Sequence, residues 1–288
     1  MAAPGSPLSP AAEPSLGPLF EDVRQTFQIS WTPRVFVALG QIRGFLPLAW
    51  AGLKPSAATE QFARLAERIR DDTAGLARSL YQPGYGPGDL QSQLEQFDDL
   101  AALRTALDAL TFGQTQTLLA VEALRLAIDG FPTGGSHPIS WPRVQTTWAL
   151  QPIPTVQAST VGEDVRRVFE EARAFTGLAW PPRSLEALAN WPDHLRLAWS
   201  DLGNQLRTPD VAAARGALIE RAATYCQLLP TKVEVTPGYL ERSGEAPLEI
   251  NRARELLVEW EGALPANLLL TAFLRLPLGG LRVSSLGR

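Results

Sequence analysis

Ser30–Gly40 reads SWTPRVFVALG, and 149 residues further along Ala179–Ala189 reads AWPPRSLEALA. The likeness extends well beyond these eleven positions. Shifting the chain by 149 aligns Phe20–Ala74 with Phe169–Ala223 without a gap and gives sixteen identities over 55 positions, among them Trp31/Trp180, Pro33/Pro182, Arg34/Arg183, Trp50/Trp199 and Leu53/Leu202. Near the end of each half LLAVEALRLAIDG (Leu118–Gly130) returns as LLLTAFLRLPLGG (Leu268–Gly280), now offset by 150. A unit of about 115 residues has been written twice.

Each copy reads as helices. Leu46, Ala49, Trp50 and Leu53, matched by Leu195, Ala198, Trp199 and Leu202, follow the i, i+3, i+4, i+7 spacing that gathers side chains on one helical face. Trp50 and Trp199 are therefore expected in the core. Phe62, Leu65, Ile69 and Leu76 form the apolar stripe of a longer amphipathic stretch, and LAALRTALDAL and TLLAVEALRLAI continue the pattern. No segment alternates with period two for long enough to predict a strand. The expected fold class is all-α, with two tandem homologous repeats packed as a pseudo-dimer about an approximate two-fold axis, and any ligand cleft between the halves.

Pro- and Gly-rich stretches set the boundaries. They predict a disordered leader over 1–18, a first helical repeat over 19–130, a linker over 131–160, a second repeat over 161–282 and a tail over 283–288. YQPGYGPGD (Tyr81–Asp89) reads as a loop within the first repeat.

Composition narrows the function. With 26 Lys and Arg against 30 Asp and Glu, a net charge of -4 and 45% hydrophobic residues, the chain is of globular type and offers nothing that favours nucleic acid or anionic lipid. The single Cys226 leaves no internal disulfide and no Cys-x-x-Cys pair, which fits a reducing, cytoplasmic setting; a buried structural thiol is its simplest reading. Two histidines, His137 and His194, are too few for a His-based metal site, so neither metal nor cofactor is expected. His194 stands where the first copy has Phe45 and so reads as a packing residue rather than a triad member. The N-terminus has no signal-peptide pattern, and no run of about 18 apolar residues predicts a membrane span. Asp71/Asp72 and Asp98/Asp99 read as solvated charges on helix faces.

The opening stretch reads as a helix start in both copies. Proline suits a first turn because its missing N–H has no intrahelical partner there, and Thr32 is placed to cap. A helix N-terminus attracts a carboxylate. Arg34 and Arg183 would strengthen that attraction, or else pair with neighbouring acids, and Trp31, Phe36 and Trp180 would line a small apolar pocket, or else pack in the core. At Val35 against Ser184 the copies diverge in chemistry rather than size, the kind of asymmetry that one ligand site made from two halves would leave.

With FEDVRQTFQISWTPRVFVALG…GFLPLAWAGLKP opening one half and ALANWPDHLRLAWSDL in the other, the chain resembles the group I 2-haloacid dehalogenase family, also called the halocarboxylic acid dehydrogenase family, from about Phe20 to Gly280. The resemblance implies an all-α two-repeat fold related to alkylhydroperoxidase-like domains, whose catalytic Cys pair is missing here. It also implies hydrolysis of the carbon–halogen bond of small 2-haloalkanoic acids, of either configuration, by direct attack of an activated water. Such chemistry needs a carboxylate base, a polar side chain to hold the water and an apolar, desolvating pocket.

Counting back from Asn190-Trp191-Pro192, the resemblance puts the base's position on Ser184, and it puts the water-orienting amide's position, usually Asn, on Gln114 of TFGQTQTLL. Serine is no carboxylate base, and glutamine moves the amide by one methylene. Glu186, two positions on, lies about 200° round a helix and is expected to point elsewhere. The expected partner is a small carboxylic acid, with a homodimer possible. Two readings stand beside dehalogenation: a non-catalytic homologue holding a small organic acid or a protein partner in the inter-repeat cleft, and a purely structural helical module.

Overall fold

The computed structural model describes residues 16–88, 97–135, 141–203 and 205–279. These residues are helical: α1 (Gly17–Phe27), α2 (Arg34–Leu39), α3 (Phe45–Ala57), α4 (Glu60–Leu80) and α5 (Phe97–Ile128), then α6 (Glu163–Thr176), α7 (Arg183–Leu188), α8 (Pro192–Leu202), α9 (Pro209–Cys226), α10 (Pro237–Arg242) and α11 (Pro247–Arg275). The fold is all-α, and the sole β feature among the described residues is an isolated bridge between Thr59 and Pro142. Helix α7 starts 149 residues after α2, and α11 starts 150 after α5.

The core is built around α5 and α11, which pack against each other more extensively than any other pair. Their middles are apolar all round rather than on one stripe: Leu118–Leu124 and Leu268–Leu274 are buried at every position. A helix of that kind belongs inside the protein, with the amphipathic helices laid around it. The charges it carries are paired across the two helices. Arg125 Nε lies 2.8 Å from Glu261 on α11 and Nη2 2.8 Å from Glu122 on its own helix, while Arg275, at the position equivalent to Arg125, lies 2.8 Å from Asp108 on α5. Shared burial with Glu122 pushes the Glu261 carboxyl up to about 7, because desolvation disfavours its charged form and the neighbouring carboxyl hydrogen-bonds to it.

The outer helices follow their patterns. Leu46, Ala49, Trp50 and Leu53 are buried on α3, and Leu195, Ala198 and Leu202 on α8. Trp199 is only half-buried; its indole N–H donates to Glu171 at 2.8 Å, just as Trp50 donates to Asp22 at 2.7 Å. Both acceptors sit 28 residues before their tryptophan, so one contact is made in each half. His194 is buried, filling the place of Phe45, and desolvation pushes its pKa down to about 4. Cys226 is buried too.

Several expectations are corrected. Helix α2 starts at Arg34 with Pro33 as its N-cap residue, and α7 at Arg183 with Pro182. Both prolines therefore lie just outside the first turn, and the Thr32 hydroxyl accepts from Arg24 at 3.1 Å instead of capping. Asp72 is not simply solvated: it takes Arg221 at 2.6 Å and the Tyr225 hydroxyl at 2.9 Å, both from α9. The connecting segment packs down, with Arg143 donating to Gln116 at 2.6 Å and to the Thr26 carbonyl at 3.0 Å. His137, Asp98 and Asp99 lie outside the residues whose side chains are described.

Candidate active-site pocket

Helices α2 and α7 bring their first turns together, and α5 and α11 close the space beneath them. The cavity measures about 60 Å³, room for about two waters at roughly 30 Å³ each. Twelve of its fifteen lining residues fall in pairs at a sequence offset of 149 or 150: Thr32 with Pro181, Pro33 with Pro182, Arg34 with Arg183, Leu110 with Trp260, Gln114 with Leu264, and Thr117 with Asn267; Trp31, Val35 and Leu178 line it without their counterparts. The residues paired by that offset thus bring different chemistry to one cavity.

Local sequence explains how the walls meet. Trp31 lies so close to α5 that a Cβ built on Gly113 would stand 2.5 Å from its ring; glycine is what admits the indole there. Pro265 inside α11 removes the N–H that would bond the Glu261 carbonyl, between the turn carrying Trp260 and Leu264 and the turn carrying Asn267.

The two arginines at the pocket are treated unequally. Arg34 reaches across to the other half, donating to the Pro181 carbonyl at 2.7 Å and to Glu186 Oε1 at 2.6 Å. That pair is well shielded, the side chains being 32% and 11% exposed. The repeat-equivalent of Glu186 is Val37, so Arg183 has no matching carboxylate, and among the described residues it forms no ion pair. Its guanidinium lies 5.6 Å above the Trp31 ring, an attractive cation–π placement. Burial and the nearby Arg34 hold Arg183 below the usual arginine range, with Glu186 acting in the opposite sense.

Polar atoms around this space lack protein partners: Gln114 Oε1, Arg183 Nε, Ser184 Oγ and Trp260 Nε1 are all buried and unbonded. Gln114 Nε2 makes only a long contact, 3.4 Å to Asn267 Oδ1. Unpartnered buried polar groups cost on the order of 1–3 kcal/mol each, and they mark places where a polar ligand would be welcome. No Asp or Glu lines the cavity among the described residues.

Of the residues singled out by sequence, Trp31, Arg34, Arg183 and Gln114 come together at the pocket. Ser184 sits directly after Arg183, fully buried, without reaching the lining. Phe36 does not contribute: it is fully buried with its ring 5.7 Å from Phe27 and 5.8 Å from Trp50, because residue 36 of α2 faces the first half's core. Trp180 stands outside the cavity, stacked on Trp260 at 5.8 Å. Glu186 turns back toward the pocket's edge through Arg34. Trp260, Thr117 and Asn267 were not singled out, although the overlay of the halves places them opposite residues of the pocket. No group of three or more His, Cys, Asp or Glu side chains able to hold a metal occurs among the described residues. No described helix is long and apolar enough to cross a membrane.

No protein-family model matches the chain. An (R)-2-haloacid dehalogenase of Rhizobium sp. (strain NHG3) is 28% identical over 237 residues, covering 81% of this chain and 90% of that protein. An (R)-2-haloacid dehalogenase of Pseudomonas putida is 25% identical over 76% of this chain and 74% of its own length. Among solved structures, a mutant D-2-haloacid dehalogenase in complex with D-2-CPA superposes with a TM-score of 0.84 over 91% of each chain at 22% identity. In sequence along most of its length, and in fold, the chain is a relative of the 2-haloacid dehalogenases.

Proposed function

We propose that the pocket between α2 and α7 receives a small 2-substituted carboxylic acid, held by Arg183, and that this chain dehalogenates such acids slowly or not at all because position 184 carries a hydroxyl where the family's chemistry calls for a carboxylate. The observation that carries the reading is Arg183: a guanidinium lining a small cavity, forming no ion pair among the described residues, with an unbonded, buried Nε donor. A ligand carboxylate would supply the missing countercharge, and charge-assisted contacts of this kind are among the stronger hydrogen bonds. Trp31, Leu110, Leu264 and Trp260 surround the remainder of a ligand with apolar surface, while Gln114, Thr117 and Asn267 offer polar contacts to a 2-substituent. Hydrolytic attack needs a base beside the water; no Asp or Glu lines the cavity among the described residues, and Glu186, at its edge, is engaged with Arg34.

The reading includes the arrangement of the chain. The halves 19–130 and 161–282 form two copies related by an approximate two-fold axis through the pocket, joined by 131–160; the paired lining and the reciprocal Arg125–Glu261 and Arg275–Asp108 contacts support this. Residue 184 is then where one site made from two halves became asymmetric.

The test is a calorimetric titration with (R)-2-chloropropionate, comparing the wild type with Arg183→Met. Saturable binding by the wild type that weakens at least about tenfold in the variant, a loss of roughly 1.4 kcal/mol, supports the assignment. Equal heats from both proteins would refute it.

A further inference from the structure

The acid pocket has a larger neighbour, an open groove of about 820 Å³. Two stretches of chain run from one hollow into the other. Along α11, Arg252, Leu256 and Trp260 line the groove, and Trp260, Leu264 and Asn267 line the pocket; steps of three or four residues keep this row on one helical face. In the second stretch, Gly177–Trp180 border the groove and Pro181–Arg183 border the pocket. Leu178 and Trp260 are the residues common to both linings. The hollow of about 160 Å³ beside Trp148 and Trp191 shares no lining residue with the pocket.

Trp260 is the larger of the two shared residues, and its ring is held in an unusual way for this chain. Trp50 and Trp199 are each tied to a carboxylate through the indole N–H. The Trp260 N–H is buried and has no hydrogen-bond partner. Stacking on Trp180 holds the ring instead, with centroids 5.8 Å apart and planes 24° from parallel. At the matching place in the first half the chain carries the smaller Leu110.

We propose that Trp260 is a specificity-determining residue: its ring closes the acid pocket against the groove and so restricts the site to short-chain 2-substituted acids. The inference rests on the acid-pocket reading given above and narrows its substrate class. At about 60 Å³ the pocket leaves no space for added methylenes, whereas the groove has ample room. A carbon chain growing from an acid held on Arg183 reaches that room only past Leu178 and Trp260. With a smaller side chain at 260 the two hollows join, and the tail of a longer acid lies along Leu178 and Leu256.

The test is a calorimetric titration of Trp260→Leu, which gives α11 the residue of the first half, with (R)-2-chloropropionate and (R)-2-chlorohexanoate beside the wild type. Each buried methylene is worth about a fourfold gain in affinity, and three separate the two acids, so the variant is expected to bind the longer acid at least about tenfold more tightly than the wild type does. The shorter acid is expected to stay within about threefold of its wild-type affinity. Such a change in selectivity sets the role apart from simple packing, because a loosened fold would weaken both acids together. Trp180→Ala, at a half-buried position outside the pocket, removes the ring that holds Trp260 and is expected to shift selectivity the same way by a smaller factor; it decides the matter if Trp260→Leu does not fold. Equal binding of both acids by the wild type, or an unchanged ratio in the variants, would overturn this inference and leave the acid pocket standing. Failure of the wild type to bind either acid would overturn the acid-pocket reading, and this inference with it.

Discussion

Glu186→Gln is expected to weaken the fold and tighten the ligand. In the wild type the Glu186 carboxylate holds Arg34 at 2.6 Å and offsets one of the two positive charges at the pocket. The amide keeps an acceptor for Arg34 but loses the charge, so the shielded pair falls to a neutral hydrogen bond. Removing one side of a buried pair costs about 3–5 kcal/mol when the partner is left stranded; Arg34 is about one-third exposed, keeps the Pro181 carbonyl and gains the amide oxygen, so about 1–2 kcal/mol is expected in urea unfolding.

The pocket, meanwhile, moves from one net positive charge toward two. A unit charge about 7 Å from a ligand carboxylate contributes roughly 2 kcal/mol at an effective dielectric of 20. Screening through the open face halves this to about 1 kcal/mol, near a fivefold gain in affinity for (R)-2-chloropropionate by calorimetry. Weaker or unchanged binding in a variant whose unfolding midpoint has fallen would refute the claim that the arginines face the ligand and that Glu186 balances them.

Other expectations follow from single contacts. Gly113→Ala puts a methyl 2.5 Å from the Trp31 ring, so it should destabilise by about 1–3 kcal/mol and weaken acid binding together, read by urea unfolding and titration. His194 is held below its ordinary pKa by burial, so the unfolded chain takes up its proton first and stability falls as pH drops from 6.5 toward about 4; His194→Phe, which restores the residue of the first copy, should flatten that part of the stability curve. Glu261 is held above its ordinary value, so its contribution is full below about 4.5 and is lost as pH rises through about 7. Glu261→Gln should therefore gain on the order of 1 kcal/mol relative to wild type at pH 8 and little at pH 5, as measured by thermal unfolding.

Helix class was legible because it rests on spacing: a 3.6-residue apolar period survives divergence. In the opening stretch the helices start one residue later than the prolines predict: Pro33 and Pro182 are N-cap residues rather than first-turn ones, and proline is tolerated at either place. Phe36 and Trp180 went astray for a related reason. A large aromatic beside an arginine carries no mark of which way a six-residue helix turns, and α2 directs residue 36 into the core formed by Phe27 and Trp50. The Arg34–Glu186 pair, a contact over 152 residues, could not be read from local pattern, although the change from Val37 to Glu186 between copies was the trace it left. Trp260 and Asn267 were hidden because central helices are apolar all round and have no polar face to set a functional residue apart. Comparing equivalent positions, Gln114 against Leu264 and Thr117 against Asn267, was the signal that would have found that wall.

The central claim is that this chain keeps the acid-binding pocket but lacks the base at position 184. Chloride release from (R)- and (S)-2-chloropropionate, measured for the purified wild type beside Ser184→Asp, tests it most directly. Negligible release by the wild type and clear release by the variant is the predicted result. Release by the wild type at the rate of the variant would contradict the account, since another group would then be activating the water.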